Sequence, residues 1–197
     1  LLNPGYESKT TGGSLYYNAK SGNCYSGQSN ATKACNFTST GIKNATTRNL
    51  ISDTIYYLGG HNSFSVYPNQ IYEKERGTTV YSGRPTEWTG KIALAYPSDY
   101  GYAADLGKCS QNLNNYNNST CTSNNWMKAI VAPNYGWLLT PRSGIASNVW
   151  YVYSSGGVYY NSYVYNAYGV APVLFLNSDA NVKSGTGTSS DPYQISV

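Results

Sequence analysis

Charge is scarce in this chain. Lys, Arg, Asp and Glu make up 11% of its 197 residues, and 13 basic against 9 acidic side chains leave a formal net charge of +4. Nucleic-acid binding needs a dense basic face that neutralises phosphates, and so mild and scattered a balance does not supply one. Histidine is rarer still: one His and nine dispersed carboxylates offer few candidates for a metal cluster, a general base or a triad. That histidine, His61, follows Gly59-Gly60, where a cap or turn role is the default reading. No metal and no cofactor is expected. Long apolar runs are also missing, and nothing approaches the roughly 18 consecutive apolar residues of a membrane span.

What the chain has instead is 22 Tyr, 22 Asn, 24 Ser and 20 Gly. Low charge with many amides and hydroxyls describes a domain of strands and loops, not a helical bundle. Aromatics at 15% argue against disorder, because they supply the burial that offsets ordering entropy. The length fits one domain, residues 1–197, of which 1–43 form a loop-rich, polar N-terminal part.

Four cysteines allow three connectivities. Cys24 and Cys35 are 11 apart and Cys109 and Cys121 are 12 apart, each pair bracketing a polar stretch with almost nothing apolar in it. Near-neighbour pairing is the natural reading and gives two local disulfides; neither spacing is the C-x-x-C type of a structural zinc. Oxidised cysteines imply an extracellular or periplasmic compartment. The chain opens Leu1-Leu2-Asn3-Pro4 without Met, so a signal or anchor segment is expected ahead of it.

Along the chain, Ser14 to Tyr17 is a candidate strand. Leu50, Ile51, Ile55 and Leu58 fall at helical spacing, capped by Thr46 or Thr47 and stopped by Gly59-Gly60, which predicts a helix. Ile71 to Arg76 reads as a short helix or a strand, and a turn at Arg84-Pro85 leads to a buried strand ending at Tyr96. Ala129 to Ala132 is an apolar stretch that Pro133 terminates. The last third is the clearest β region: strands at Trp137–Thr140, Val149–Tyr153, Val158–Tyr160, Tyr163–Tyr165 and Tyr193–Val197, with a hairpin turn at Ser154-Ser155-Gly156-Gly157. Val173-Leu174-Phe175-Leu176 is apolar on both faces, as a central buried strand would be.

Residues 148–168 hold seven tyrosines and Trp150, with three Asn and three Ser. With a period of two, Val149, Tyr151 and Tyr153 share one face and Trp150 and Val152 the other, so aromatics project on both sides. Tyr-rich sheet surface is one reading, since Tyr pairs well across strands. A binding face is the other: Tyr gives rigid amphipathic contact area, and Asn, Ser and Gly give adaptable hydrogen bonds, as in antibody paratopes.

Leu50-Ile51-Ser52-Asp53-Thr54-Ile55-Tyr56-Tyr57-Leu58-Gly59-Gly60, Glu75-Arg76-Gly77-Thr78-Thr79-Val80-Tyr81 and Tyr96-Pro97-Ser98-Asp99-Tyr100-Gly101-Tyr102 resemble the globular heads of type IV pilin-like surface proteins of gut-associated Gram-positive bacteria. Trp137-Leu138-Leu139-Thr140-Pro141, the tyrosine-rich hairpin and Tyr168-Gly169-Val170-Ala171-Pro172-Val173-Leu174-Phe175-Leu176 resemble the end of C-type-lectin-fold domains of the formylglycine-generating-enzyme type. Such domains serve as variable proteins of diversity-generating retroelements. The family's Gly-Val-Arg-Pro is Gly169-Val170-Ala171-Pro172 here, which removes a charged contact.

The resemblance implies an α+β chain with a C-type lectin fold: small twisted antiparallel sheets, one or two helices and long loops. It implies a surface-displayed, non-enzymatic adhesin or ligand-binding head, extracellular on a cell surface or pilus. Its partners would be a protein or glycan receptor on another cell or phage, and other pilus subunits, with membrane contact only through the anchor. The variable, ligand-facing role falls on Asn148, Trp150, Tyr151, Tyr153, Tyr159, Tyr160, Asn161, Tyr163, Tyr165 and Tyr168. Arg76, Arg84 and Asp99 read as scaffold pairs. A calcium lectin would need Glu-Pro-Asn or Gln-Pro-Asp with Trp-Asn-Asp, and neither is present. A structural minor pilin and a calcium-independent carbohydrate-binding lectin are the alternatives.

Overall fold

The architecture follows from one sheet whose first two strands are fully buried. Gly136–Pro141 (β6), Asn148–Val152 (β7) and Val158–Tyr163 (β8) form an antiparallel three-stranded sheet in that order. Every residue of β6 and β7 is buried, because side chains cover both faces of the pleat. On the inner face, Leu138, Trp150, Val152 and Val158 meet Ile71, Tyr100, Leu113 and Val131 from helical segments in the main core. On the outer face lie Trp137, Val149 and Tyr151.

The computed structural model describes residues 23–25, 31–34, 48–164, 166–188 and 190–196. Around the central sheet are four two-stranded antiparallel pairs: Asn23–Tyr25 (β1) with Ala31–Ala34 (β2), Thr54–Tyr57 (β3) with Glu87–Gly90 (β4), Ile92–Leu94 (β5) with Pro172–Leu174 (β9), and Asn181–Ser184 (β10) with Gln194–Ser196 (β11). Four short helices accompany them: Pro68–Glu75 (α1), Pro97–Tyr102 (α2), Ser119–Thr122 (α3) and Lys128–Val131 (α4), with a 3-10 turn at Leu113–Asn115. The described residues are thus mixed α/β with small antiparallel sheets; the four helices named are more numerous than the expected one or two, and none of the four exceeds eight residues. None of them is long and apolar enough to cross a membrane.

Three local expectations change. The helix predicted over Leu50–Leu58 is not formed: Ile51 bridges Leu176, and Thr54–Tyr57 is a strand in register with Glu87–Gly90. Thr-Ile-Tyr-Tyr is a β-branched and aromatic run, and that preference prevails over an i, i+4 spacing that spans only nine residues. The apolar run Val173–Leu176 is not a central strand. Among the described residues it pairs through β5 and the bridge to Ile51, and Leu174 is 42% and Phe175 54% exposed. Finally, Val158–Tyr163 is one strand rather than two.

Of the two expected disulfides, Cys109–Cys121 is present, with both cysteines buried in the core. Cys24 lies in β1, but Cys35, and with it the expected second bridge, lies outside the described residues, as does the candidate strand at Ser14–Tyr17. The stretch that Cys109 and Cys121 bracket is less inert than its composition indicates: Leu113 and Tyr116 are fully buried, and the Tyr116 hydroxyl donates to Gly101 O at 3.1 Å.

A buried carboxylate joins α1 to α2. Glu75 accepts hydrogen bonds from the Ser98 backbone N–H (2.9 Å) and the Ser98 hydroxyl, and an Arg76 guanidinium nitrogen lies 3.3 Å away. Arg76 in turn lies over Tyr72, 3.5 Å from the ring centre, and near Tyr96. Burial pushes the Glu75 pKa up to about 8, against the opposing pull of the Ser98 bonds. Between its ordinary value of 4.5 and about 8, the folded state therefore holds a proton that the unfolded state releases. The stability this provides is complete below that window and is lost as pH rises through it. Melting temperature should fall on titration from about pH 5 to about pH 8, and Glu75→Gln should flatten that slope. An unchanged slope in the variant would assign the dependence to other groups.

Candidate functional site

Register decides which of the aromatic side chains come together. Trp137 pairs with Tyr151, and Tyr151 with Tyr159, so the three rings form a row across the outer face of β6, β7 and β8. Further tyrosines cover this row. Gly169 bridges Gly136 in parallel, held by Trp137 N–H to Gly169 O (2.9 Å) and Gly169 N–H to Tyr135 O (2.8 Å). That bridge lays Tyr168 across Trp137 (ring centres 4.6 Å apart) and Tyr151 (5.5 Å) and stacks it on Tyr135 (4.8 Å, 17° between planes). Tyr153 meets Tyr135 edge to face at 4.7 Å and Tyr159 at 6.1 Å. The result is two layers: Trp137 and Tyr151, each 8% exposed, lie beneath Tyr135, Tyr153 and Tyr168, with the half-buried Tyr159 at the end of the lower row.

The turn that starts Tyr153 on its outward path depends on Gly156, whose φ of +100° suits glycine. It is closed by Gly156 N–H to Tyr153 O and Tyr153 N–H to Gly157 O, both 2.8 Å. The Tyr100 hydroxyl donates to Gly156 O from within the core at 3.1 Å. The disulfide-tied insert supports the same side, since the Tyr159 hydroxyl donates to Asn114 O at 3.3 Å.

The segment that carries most of the face is uncharged. No Asp, Glu, Lys, Arg or His lies between Arg142 and Asp179. Burial, then the neighbouring hydroxyls of Tyr168, Tyr153, Tyr159 and Tyr135, push Tyr151 up to about 12. It therefore remains a neutral donor, bonded to Asn161 Oδ1 at 3.3 Å. Tyr135 is shifted upward as well, first by its hydrogen bond with Tyr153.

The other residues to which sequence gave a ligand-facing role are distributed differently. Trp150 is fully buried on the inner face and Asn148 is 4% exposed, so neither offers surface to a ligand. Tyr160 points inward and packs against Trp150, Phe64 and the Arg142 guanidinium, the last 4.5 Å from its ring centre. An irregularity in the β7–β8 register sets Ser162 opposite Val149 and Tyr163 opposite Asn148, so Tyr163, 47% exposed, leaves the aromatic row. Asn161 is exposed beside Tyr151. Tyr165 lies outside the described residues. Tyr135 and Trp137 were not among the predicted site residues. The signal for Trp137 was its place in a strand next to the tyrosine hairpin, on the same period of two as Tyr135.

The lone His61 stacks on Trp150 (6.5 Å, 19°), and burial, then the Lys74 charge, lowers its pKa. Among the described residues no three His, Cys, Asp or Glu side chains converge on one point. Comparison with known proteins returns no matching family model, no matching curated protein and no matching solved structure.

Proposed function

We propose that this chain is a non-enzymatic, surface-displayed ligand-binding or adhesion head whose working surface is the layered tyrosine face of the central sheet. The observation that carries the reading is the double layer itself. Fold stability accounts for the buried Trp137 and Tyr151, but three further tyrosines, Tyr135, Tyr153 and Tyr168, partly open to solvent, are held together through Tyr135 above them. Rigid rings on a sheet, edged by Asn and Ser, offer contact area at little entropic cost. In this reading the fold is of the C-type lectin kind, the head sits outside the cell on a pilin-like anchor, and the partner is a receptor on another cell or phage.

The test is adhesion. Beads coated with the protein should bind epithelial or bacterial cells, and Tyr168→Ala with Tyr153→Ala should reduce binding at least about ten-fold, the scale of one to two lost aromatic contacts. Full binding by a variant that still melts cooperatively would remove the face from the function. Diversification by a retroelement has its own test, a neighbouring reverse-transcriptase gene and a near-copy of codons 148–168 differing at adenines. Absence of both would end that part of the proposal.

A different surface favours the second reading, a structural pilus subunit. Leu174, Phe175 and Leu176 are exposed together, and Phe175 and the 47% exposed Trp88 flank Tyr56. An exposed apolar surface of this kind suits contact between subunits.

A further inference from the structure

We propose that the ligand of the tyrosine face is a neutral glycan, bound by ring stacking without a metal ion; this rests on the reading of that face as the binding surface. The first argument is charge. Protein partners are steered and selected largely by complementary charge, and hot spots at their interfaces are rich in Arg beside Trp and Tyr. Here the only charged side chain between Lys128 and Asp179 is Arg142, and its guanidinium is engaged on Tyr160, on the other side of the sheet. Within the segments that build this face, residues 135–142 and 148–169, an anionic sugar would find no cation other than Arg142, and a basic peptide no carboxylate.

The second argument is geometry. The face carries ring planes that meet both in parallel, as Tyr135 on Tyr168, and edge to face, as Tyr153 on Tyr135. The electron-rich face of an aromatic ring attracts the weakly positive C–H groups of a pyranose, which expose one flat apolar side. The polar groups nearby are amides and hydroxyls: Asn161 and the tyrosine hydroxyls themselves. Such groups both donate and accept, which matches the hydroxyls of a sugar.

Affinity electrophoresis of the intact protein in gels containing a neutral α-glucan, galactomannan or arabinogalactan, with anionic alginate as contrast, tests this. At least one neutral polysaccharide should retard the protein, equally in low salt and in about 1 M NaCl, where the Debye length is only about 3 Å. Tyr168→Ala and the more exposed Tyr153→Ala should each weaken retardation several-fold, Tyr168→Phe should retain most of it, and Tyr193→Ala on the distant C-terminal hairpin should leave it unchanged. No retardation by any neutral polysaccharide, retardation by alginate alone, or retardation insensitive to both alanine substitutions would overturn the proposal. Cell adhesion that depends on Tyr168 but is not competed by the neutral polysaccharides would also overturn it, in favour of a protein ligand, with the binding face intact. Adhesion independent of Tyr168 and Tyr153 would instead remove the face itself.

Discussion

Trp150→Ala is expected to cost about 3–5 kcal/mol, the range for deleting a large buried aromatic. Its indole is fully buried among Leu138, Val152 and Val158, and His61 and Tyr160 flank it. Tyr153 is only three residues away but 39% exposed, and Tyr153→Ala should cost about 1 kcal/mol, the worth of one or two aromatic contacts. Denaturant unfolding monitored by circular dichroism separates the two directly. Equal losses would mean that Trp150 does not hold the core, and the division of the hairpin into an inner and an outer face would fail with it.

Removing the Cys109–Cys121 bridge, as Cys109→Ala with Cys121→Ala, should lower stability by about 3 kcal/mol, the loop-closure value for a separation of this size. For a chain of this length that is roughly 6–12 °C in melting temperature. The cost should not stop at the core. The bridged insert contributes Leu113 and Tyr116 to the interior, and its Asn114 carbonyl accepts from the Tyr159 hydroxyl. Amide hydrogen exchange should therefore rise in Val158–Tyr163 as well as in the insert. A loss of stability confined to the insert, with β8 protected as before, would show that the face stands without this support.

Much of the β-rich last third is legible in the sequence because its pattern is unambiguous. Trp137–Thr140 is followed by Pro141, Val149–Val152 is an unbroken β-branched and aromatic run, and Ser-Ser-Gly-Gly supplies a turn. The segment Leu50–Leu58 is not legible in that way, because a short apolar run fits a helix and a strand equally by spacing. Only its pairing with Glu87–Gly90, about thirty residues away, decides it. The candidate site is half legible for a similar reason. Alternation separates Trp150 from Tyr151 correctly, but membership of the face depends on contacts at long range. Tyr168 reaches it through the Gly136–Gly169 bridge, and Tyr163 leaves it through a register irregularity that no local pattern announces. Tyr135 and Trp137 lie on the neighbouring strand segment, outside the dense tyrosine run, so aromatic density alone does not mark them.

The uncharged run between Arg142 and Asp179 also sets a timescale. If the tyrosine face is the binding surface proposed above, it has no charge of its own in this run to guide the approach, and a partner would arrive at about 10⁵–10⁶ M⁻¹s⁻¹ rather than at the rates of charge-steered pairs. Capture by a single copy would then be slow at low receptor density, and affinity would reside in dwell time. Many copies displayed side by side would raise the chance of rebinding before a partner diffuses away.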